Sequence, residues 1–199
     1  MDELLNRLET PRLLLRPFTE EDYPVVYAIS ADPETTEYLY YWGRIGTTPE
    51  SDAKRFLDYA LRNWKKRPIR AREYCVIRKD TGEKIGDGSV EWVEDEPGTA
   101  EIGWILLPRH RGQGFATEMG RELCRAGFER LGADRIIAHC DGRNAPSYSV
   151  MERLHMRFVY LEKESRPEKR PGEKKGDERT YEITRTEWLA LQSSEAERR

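Results

Sequence analysis

The element pattern of this chain predicts an α+β fold, with one mixed, mostly antiparallel sheet and helices packed against it. Three observations carry that reading. Two stretches of helical periodicity follow a short opening strand. Strands at short spacing, joined by tight turns, begin near Glu73. From Ala100 onward, strand and helix alternate. The 199 residues fit one domain, 1–199, with a core at about 8–188 and enough length to bury a substantial interior.

Each element has its own warrant. Thr10 to Pro17 reads as a strand. Thr19-Glu20-Glu21-Asp22 supplies a cap and an acidic first turn for a helix carrying Val25, Val26 and Ile29, since carboxylates complement the positive end of the helix dipole. A second helix starts after Thr48, with Pro49 at its first position, where a missing N–H costs nothing. It puts Phe56, Leu57, Ala60, Leu61 and Trp64 on one face before Pro68 ends it. Glu73 to Ile77 and Lys84 to Trp92 are strands joined by a turn at Asp80-Thr81-Gly82. A second turn, Glu94 to Gly98, leads into the strand Ala100 to Leu107. The next helix carries Ala116, Met119, Leu123, Ala126, Gly127 and Leu131 inward and Arg121, Glu122, Arg125 and Glu129 outward, with Gly132 as terminator. Arg135 to Cys140 is a strand, joined by that helix to Ala100–Leu107 as a parallel crossover. Asn144-Ala145-Pro146-Ser147 opens a further helix, with Val150, Met151 and Leu154 inward. Arg157–Glu164 and Arg179–Thr184 make a last hairpin around a charged loop, Ser165–Asp177, and a short frayed helix starts at Glu187.

Composition narrows the function classes. With 37% apolar and 36% charged residues the chain is polar without reading as disordered, and a net charge of −3 argues against nucleic-acid binding as its main business. No apolar run reaches membrane-spanning length, and Met1-Asp2-Glu3 lacks the basic and apolar regions of a signal peptide. Cys75, Cys124 and Cys140, odd in number and widely spaced, read as buried reduced thiols rather than a disulfide frame or a metal site. A cytoplasmic protein with neither membrane nor nucleic-acid partners is expected, its oligomeric state open between monomer and homodimer.

The segment that carries chemistry is Arg111-Gly112-Gln113-Gly114-Phe115-Ala116-Thr117, between an extended apolar run and an amphipathic helix. Such a turn aims several backbone N–H groups and the positive helix end at one spot, which suits a pyrophosphate. Gly112 and Gly114 let a phosphate approach the backbone, and Arg109, His110 and Arg111 add cationic character. The Gly-Lys-Ser/Thr of a Walker loop is missing, and so is the third glycine or early βαβ unit of a dinucleotide fold. An ordinary glycine-rich turn capping a helix is the bland alternative.

The ordered set of segments decides between them. Arg-x-x-Gly-x-Ala at Arg111–Ala116 resembles the acyl-CoA pyrophosphate loop of the GNAT (GCN5-related N-acetyltransferase) superfamily. Leu8 to Phe18 resembles the opening strand of its RimJ/RimL branch, and Ala100-Glu101-Ile102-Gly103-Trp104 the core strand. Asn144–Ser147 with Met151–Leu154 is similar to its second CoA-side segment, and Tyr181–Thr184 to its last strand. The resemblance spans Leu8 to Trp188. It implies a three-layer fold with a splayed parallel strand pair, acetyl-CoA as cosubstrate, and an amine acceptor. It also implies that Ile105, Leu106 and Leu107 pair with the pantetheine arm. The pyrophosphate falls to Arg111, Gly112, Gln113, Gly114, Phe115, Ala116 and Thr117, and the region near the thiol to Asn144 and Ser147.

For the chemistry, a carboxylate on the central strands is the natural base. Glu101 holds the family-like position, with Glu91 on the preceding strand as the other candidate. The family's acid, a tyrosine in the Asn-led helix, is replaced here by Met151, which leaves Ser147 or Tyr148 to protonate the thiolate. His155 stands where the family has a helix-ending glycine and reads as a left-handed terminator. His139 and His110 read as a strand residue and a solvated loop residue. Acceptor walls are expected from the Ala31–Thr48 loop, with Tyr38, Tyr40, Tyr41 and Trp42, and from Ser165–Asp177. The RimJ/RimL likeness implies a protein N-terminal α-amine, which at pKa 7.7–8.0 releases its proton more easily than lysine at 10.4. A small amine such as an antibiotic or polyamine, and a non-catalytic acyl-CoA-binding module, are the alternatives.

Overall fold

The structure, a computed structural model, describes residues 5–39, 42–43, 46–66, 68, 70–168 and 172–196. Its spine is an eight-stranded sheet of order β1-β2-β3-β4-β5-β6-β8-β7. The strands are β1 Leu8–Glu9, β2 Leu13–Pro17, β3 Ala71–Arg78, β4 Lys84–Trp92, β5 Thr99–Leu106, β6 Arg135–Asp141, β7 Arg157–Arg166 and β8 Gly176–Thr184. Helices α1 (Tyr23–Ala31), α2 (Pro33–Thr36) and α3 (Pro49–Lys65) lie between β2 and β3. Helix α4 (Phe115–Arg125) joins β5 to β6, α5 (Ala145–Arg153) joins β6 to β7, and α6 (Arg185–Ala196) follows β8. Every strand pair is antiparallel except β5 with β6, which gives the mixed sheet and parallel crossover that the sequence predicts.

Period-two alternation divides the strands between two cores, so the fold has three layers. Tyr74, Val76, Val90, Ala100, Ile102, Ile136 and Ala138 pack under α4, α5 and α6 on one face. Cys75, Ile105 and Leu107 meet Val26 and Ile29 of α1 and Leu57 and Ala60 of α3 on the other. All three cysteines are free and buried. Among the described residues, no helix is long and apolar enough to cross a membrane.

Local chemistry accounts for the element boundaries. The Thr48 hydroxyl accepts from the Ser51 N–H at 3.2 Å and caps α3. Gly132, at φ 84, ends the helical run after α4. His155, at φ 59, takes the left-handed terminator role expected of it.

The structure also departs from the expectations. The last hairpin is longer than its sequence suggests, because β7 runs to Arg166 and β8 starts at Gly176. Helix α6 is a full element, anchored by Trp188 against Phe128 at 5.7 Å. Glu122, expected on a solvated face, is buried and paired with Arg125 at 2.5 Å. His110 is likewise buried rather than solvated, since the Pro108–His110 turn folds it inward to 3.3 Å from Glu83.

Candidate active site

The site begins where the sheet opens. Strands β5 and β6 pair only from Thr99 to Glu101, against Arg135 to Ile137. Past Glu101 they part, and β6 stays with β8 as far as Asp141. Val93 donates to the Thr99 carbonyl at 3.0 Å, and Leu107 donates to the Ile85 carbonyl at 3.0 Å. By alternation, the odd-numbered residues of β5 turn their peptide groups to β4, whereas Trp104 and Leu106 turn theirs to the gap. Leu106 presents its backbone to the gap, Ile105 and Leu107 do not, and Trp104 joins it.

The glycine loop stands at the mouth of that gap. Gly112 and Gly114 take φ 72 and 81, and α4 starts directly after them. Among the described residues, no acceptor is bonded to the N–H groups from Gly112 to Thr117. A Cβ placed on Gly112 would meet nothing within 4 Å, so an anion has open access to these donors. The side chains are engaged elsewhere. Gln113 donates to the Arg109 carbonyl at 3.0 Å, and the Phe115 ring is core. Arg111 donates to the Leu106 carbonyl at 3.0 Å and to Glu34 and Thr35 of α2, both at 2.7 Å. The loop therefore offers its backbone to an anion, while Arg111 ties α2 to the mouth of the gap.

On the α1–α3 face, the sheet carries a row of acids. Glu91 and Glu101 stand directly opposite each other across β4 and β5. The Glu101 carboxyl is pushed up to about 8, first by burial, then by Glu91 and Glu178, with Arg166 pulling the other way. Burial also raises Glu91. Glu73 and Asp87, one diagonal step apart, are both raised by burial, and the neighbouring Asp87 raises Glu73 further. His139, on the free stretch of β6, sits 3.0 Å from the Thr180 hydroxyl and is held below its ordinary value by burial, which opposes Glu178. Glu73 and Asp87 were missed in the sequence, although their odd spacing with Cys75, Ser89 and Glu91 was the available signal.

The opposite side of the gap carries the Asn-led helix. Asn144 caps α5 by accepting the Ser147 N–H at 3.2 Å. Ser147 stands beside the Cys140 thiol, which burial pushes up to about 11. Met151 is buried in the core, and Tyr148 packs under the Arg179 guanidinium at 4.7 Å. Glu101 and Ser147 thus flank the gap from opposite faces of the sheet.

A cleft of about 590 Å³ lies between α1–α2, the end of β6 and the β7–β8 hairpin, whereas Glu91 and Glu101 line a separate cleft of about 360 Å³ with Tyr59 and Asn63. The larger cleft's walls include Glu34 and Tyr38 from the Ala31–Thr48 segment and Arg166 and Lys174 from Ser165–Asp177, together with Pro49 and Arg143 from outside both. Tyr38 faces Arg143 at 5.6 Å, whereas Trp42 is buried against Phe56 at 5.2 Å. Tyr40 and Tyr41 lie outside the described residues.

Residues 12–157 match the family model for the acetyltransferase (GNAT) domain. The chain is 32% identical over 181 residues to the uncharacterized N-acetyltransferase YnaD of Bacillus subtilis, covering 91% of this chain and 98% of that one. A GNAT-family acetyltransferase from Bacillus anthracis superposes with a TM-score of 0.73 at 28% identity, over 89% of this chain and 98% of that one. The fold is also shared with RimL, a ribosomal L7/L12 α-N-protein acetyltransferase in complex with coenzyme A, at a TM-score of 0.73 and 21% identity, over 89% of this chain and 97% of that one.

Proposed function

This chain belongs to the GNAT acetyltransferase family, and we propose that it moves an acetyl group from acetyl-CoA directly to a primary amine, with a protein N-terminal α-amine as the acceptor class. The observation that carries this reading is the open edge of β5 beyond Glu101, ending in a loop whose N–H groups have no acceptor. The pantetheine arm pairs with the backbone of Trp104 and Leu106, and the pyrophosphate rests on Gly112 to Thr117.

The amine enters from the acidic face. Glu101 takes a proton from the arriving ammonium, the neutral nitrogen attacks the thioester carbon, and the carbon–sulfur bond then breaks. The thiolate leaves toward Ser147, whose hydroxyl donates it a hydrogen bond and relays to it the second proton that the nitrogen loses, so that serine ends protonated. A base pushed to about 8 is matched to an α-amine at 7.7–8.0, so the transfer is close to level in energy, whereas a lysine at 10.4 holds its proton against the same base. The RimL likeness in fold supports the same acceptor class.

One observation favours a second reading, a small amine of two or more positive charges. Glu73, Asp87, Glu91 and Glu101 line up on the acceptor face. Thiol release from acetyl-CoA, measured against N-terminal peptides and small polyamines, separates the two. Turnover with peptides supports the α-amine, turnover confined to polyamines replaces it, and CoA binding without release from any acceptor points to an acyl-CoA-binding module.

A further inference from the structure

Arg12 lies 101 residues before Gln113 in the chain, yet the two are in contact. Its Nη1 donates to the Gln113 carbonyl at 3.0 Å. Its Nε donates to Glu118 at 2.6 Å and its backbone N–H to the same carboxylate at 2.8 Å. Thr10 adds its hydroxyl to Glu118 at 2.5 Å, and the guanidinium lies 4.4 Å over the Phe115 ring. We propose that Arg12, with Glu118, is a positioning residue for the coenzyme: it sets the direction of a donor in the glycine loop without belonging to that loop.

The physical reason lies in the peptide between Gln113 and Gly114. It joins two residues of the only described stretch in which glycines of positive φ stand two apart, and glycine resists rotation least. In a planar trans peptide, C=O and N–H point in opposite directions. Holding the Gln113 carbonyl therefore aims the Gly114 N–H, one of the loop's unaccepted donors. Glu118 has a second consequence. It sits in the first turn of α4, where a bare carboxylate would repel a phosphate at the same helix end. Arg12 and Thr10 occupy its oxygens and cancel its charge.

This inference rests on the proposed use of the loop for acetyl-CoA. The test is calorimetric titration of wild type and variants with CoA and with pantetheine, which lacks the phosphates. Arg12→Ala is expected to weaken CoA binding by about 10- to 100-fold and to leave pantetheine binding unchanged. Arg12→Lys is expected to recover little, because an ammonium cannot span a carbonyl and a carboxylate as a planar fork does. Adding Glu118→Gln to Arg12→Ala is expected to restore part of the affinity by removing the uncancelled charge. Unchanged CoA affinity in Arg12→Ala, or an equal loss for CoA and pantetheine, overturns the inference while leaving the proposed function standing. Failure of the wild-type chain to bind CoA removes the proposed function itself.

Discussion

Replacing Glu101 by glutamine keeps the side chain's shape and removes its ability to take a proton. The structure sets the size of two effects. A base near 8 is about one-tenth ionised at pH 7 and about nine-tenths at pH 9, so wild-type kcat/KM is expected to climb about tenfold across that interval from this group alone. An α-amine acceptor titrates in the same interval, so the comparison with Glu101→Gln assigns the slope. The variant is expected to lose about 10²- to 10⁴-fold in rate and to keep only the acceptor's part of the slope.

Stability gives a readout free of the acceptor. The folded chain holds the Glu101 proton up to about 8, while the unfolded chain releases it near the ordinary 4.5. Between those values the folded state binds more protons, so stability falls as pH rises, by at most about 1.4 kcal/mol per pH unit. Glutamine removes that penalty. If about 2 kcal/mol survives hydration and relaxation, Glu101→Gln melts about 4–8 °C above wild type at pH 8, and the two curves converge near pH 4.5. A Tm difference that does not change with pH, together with wild-type rates in the variant at pH 7, would refute both the raised carboxyl and its role as base.

Three other outcomes are expected. Gly114→Val forces a branched residue into φ 81 and pushes its Cβ to 3.3 Å from Arg12, so CoA affinity falls by at least about tenfold in titration while the far-UV spectrum stays native. Gly86→Ala brings a Cβ to within 2.0 Å of the Ile105 carbonyl, a contact that only a backbone shift relieves. A loss of about 2 kcal/mol or more is expected in urea unfolding, and an unchanged midpoint would mean that β4 and β5 are not so closely apposed. Ser147→Ala is expected to lower kcat by about 10-fold or more with the KM for acetyl-CoA nearly constant; equal kcat in the two proteins would return the acid's role to Tyr148 or to water.

Much of this molecule is legible in its sequence because local rules fix it. Pro49 after Thr48, Gly132 after Leu131 and the turn glycines each determine a boundary on their own. The loop at Arg111–Thr117 is legible for the same reason, since a strand, two glycines and a helix start are all local. What could not be read is what depends on partners far apart in the chain. Nothing near Arg111 says that its guanidinium reaches α2, and nothing near Arg12 points to Glu118. Which backbone groups of β5 face the gap could not be read for a related reason. Strand alternation was known, but its phase relative to β4 was not, and that phase decides whether Ile105 or Trp104 faces the gap. His110 and Glu122 were taken as exposed because charge and loop position are statistical guides, whereas the Pro108–His110 turn brings His110 to Glu83, and Glu122 is buried with Arg125 and Arg130 as its partners.

The two sides of the gap differ in their electrostatics, and the proposed reaction would account for the difference. A coenzyme with three phosphates needs donors. The chain supplies them mainly from backbone, which carries no net charge and so does not hold the spent coenzyme as a row of arginines would. The basic side chains near the loop are instead neutralised, Arg109 by Glu83, Arg111 by Glu34 and Arg12 by Glu118. The acceptor face has the opposite need. An amine arrives protonated, and its nitrogen attacks only after losing that proton. Ionised acids without basic partners would hold the cation too well. Protonated acids near neutrality are polar but largely uncharged, and each can be ionised when an ammonium comes to rest beside it. Burial of Glu101 opposite Glu91 favours that state. By this argument, Glu91→Gln lowers the Glu101 carboxyl by removing its nearest like charge. The lower half of the Glu101 titration in kcat/KM then moves to more acid pH, with less catalytic loss than Glu101→Gln. A rise in that value, or a loss as large as that of Glu101→Gln, would make Glu91 the base and Glu101 its neighbour.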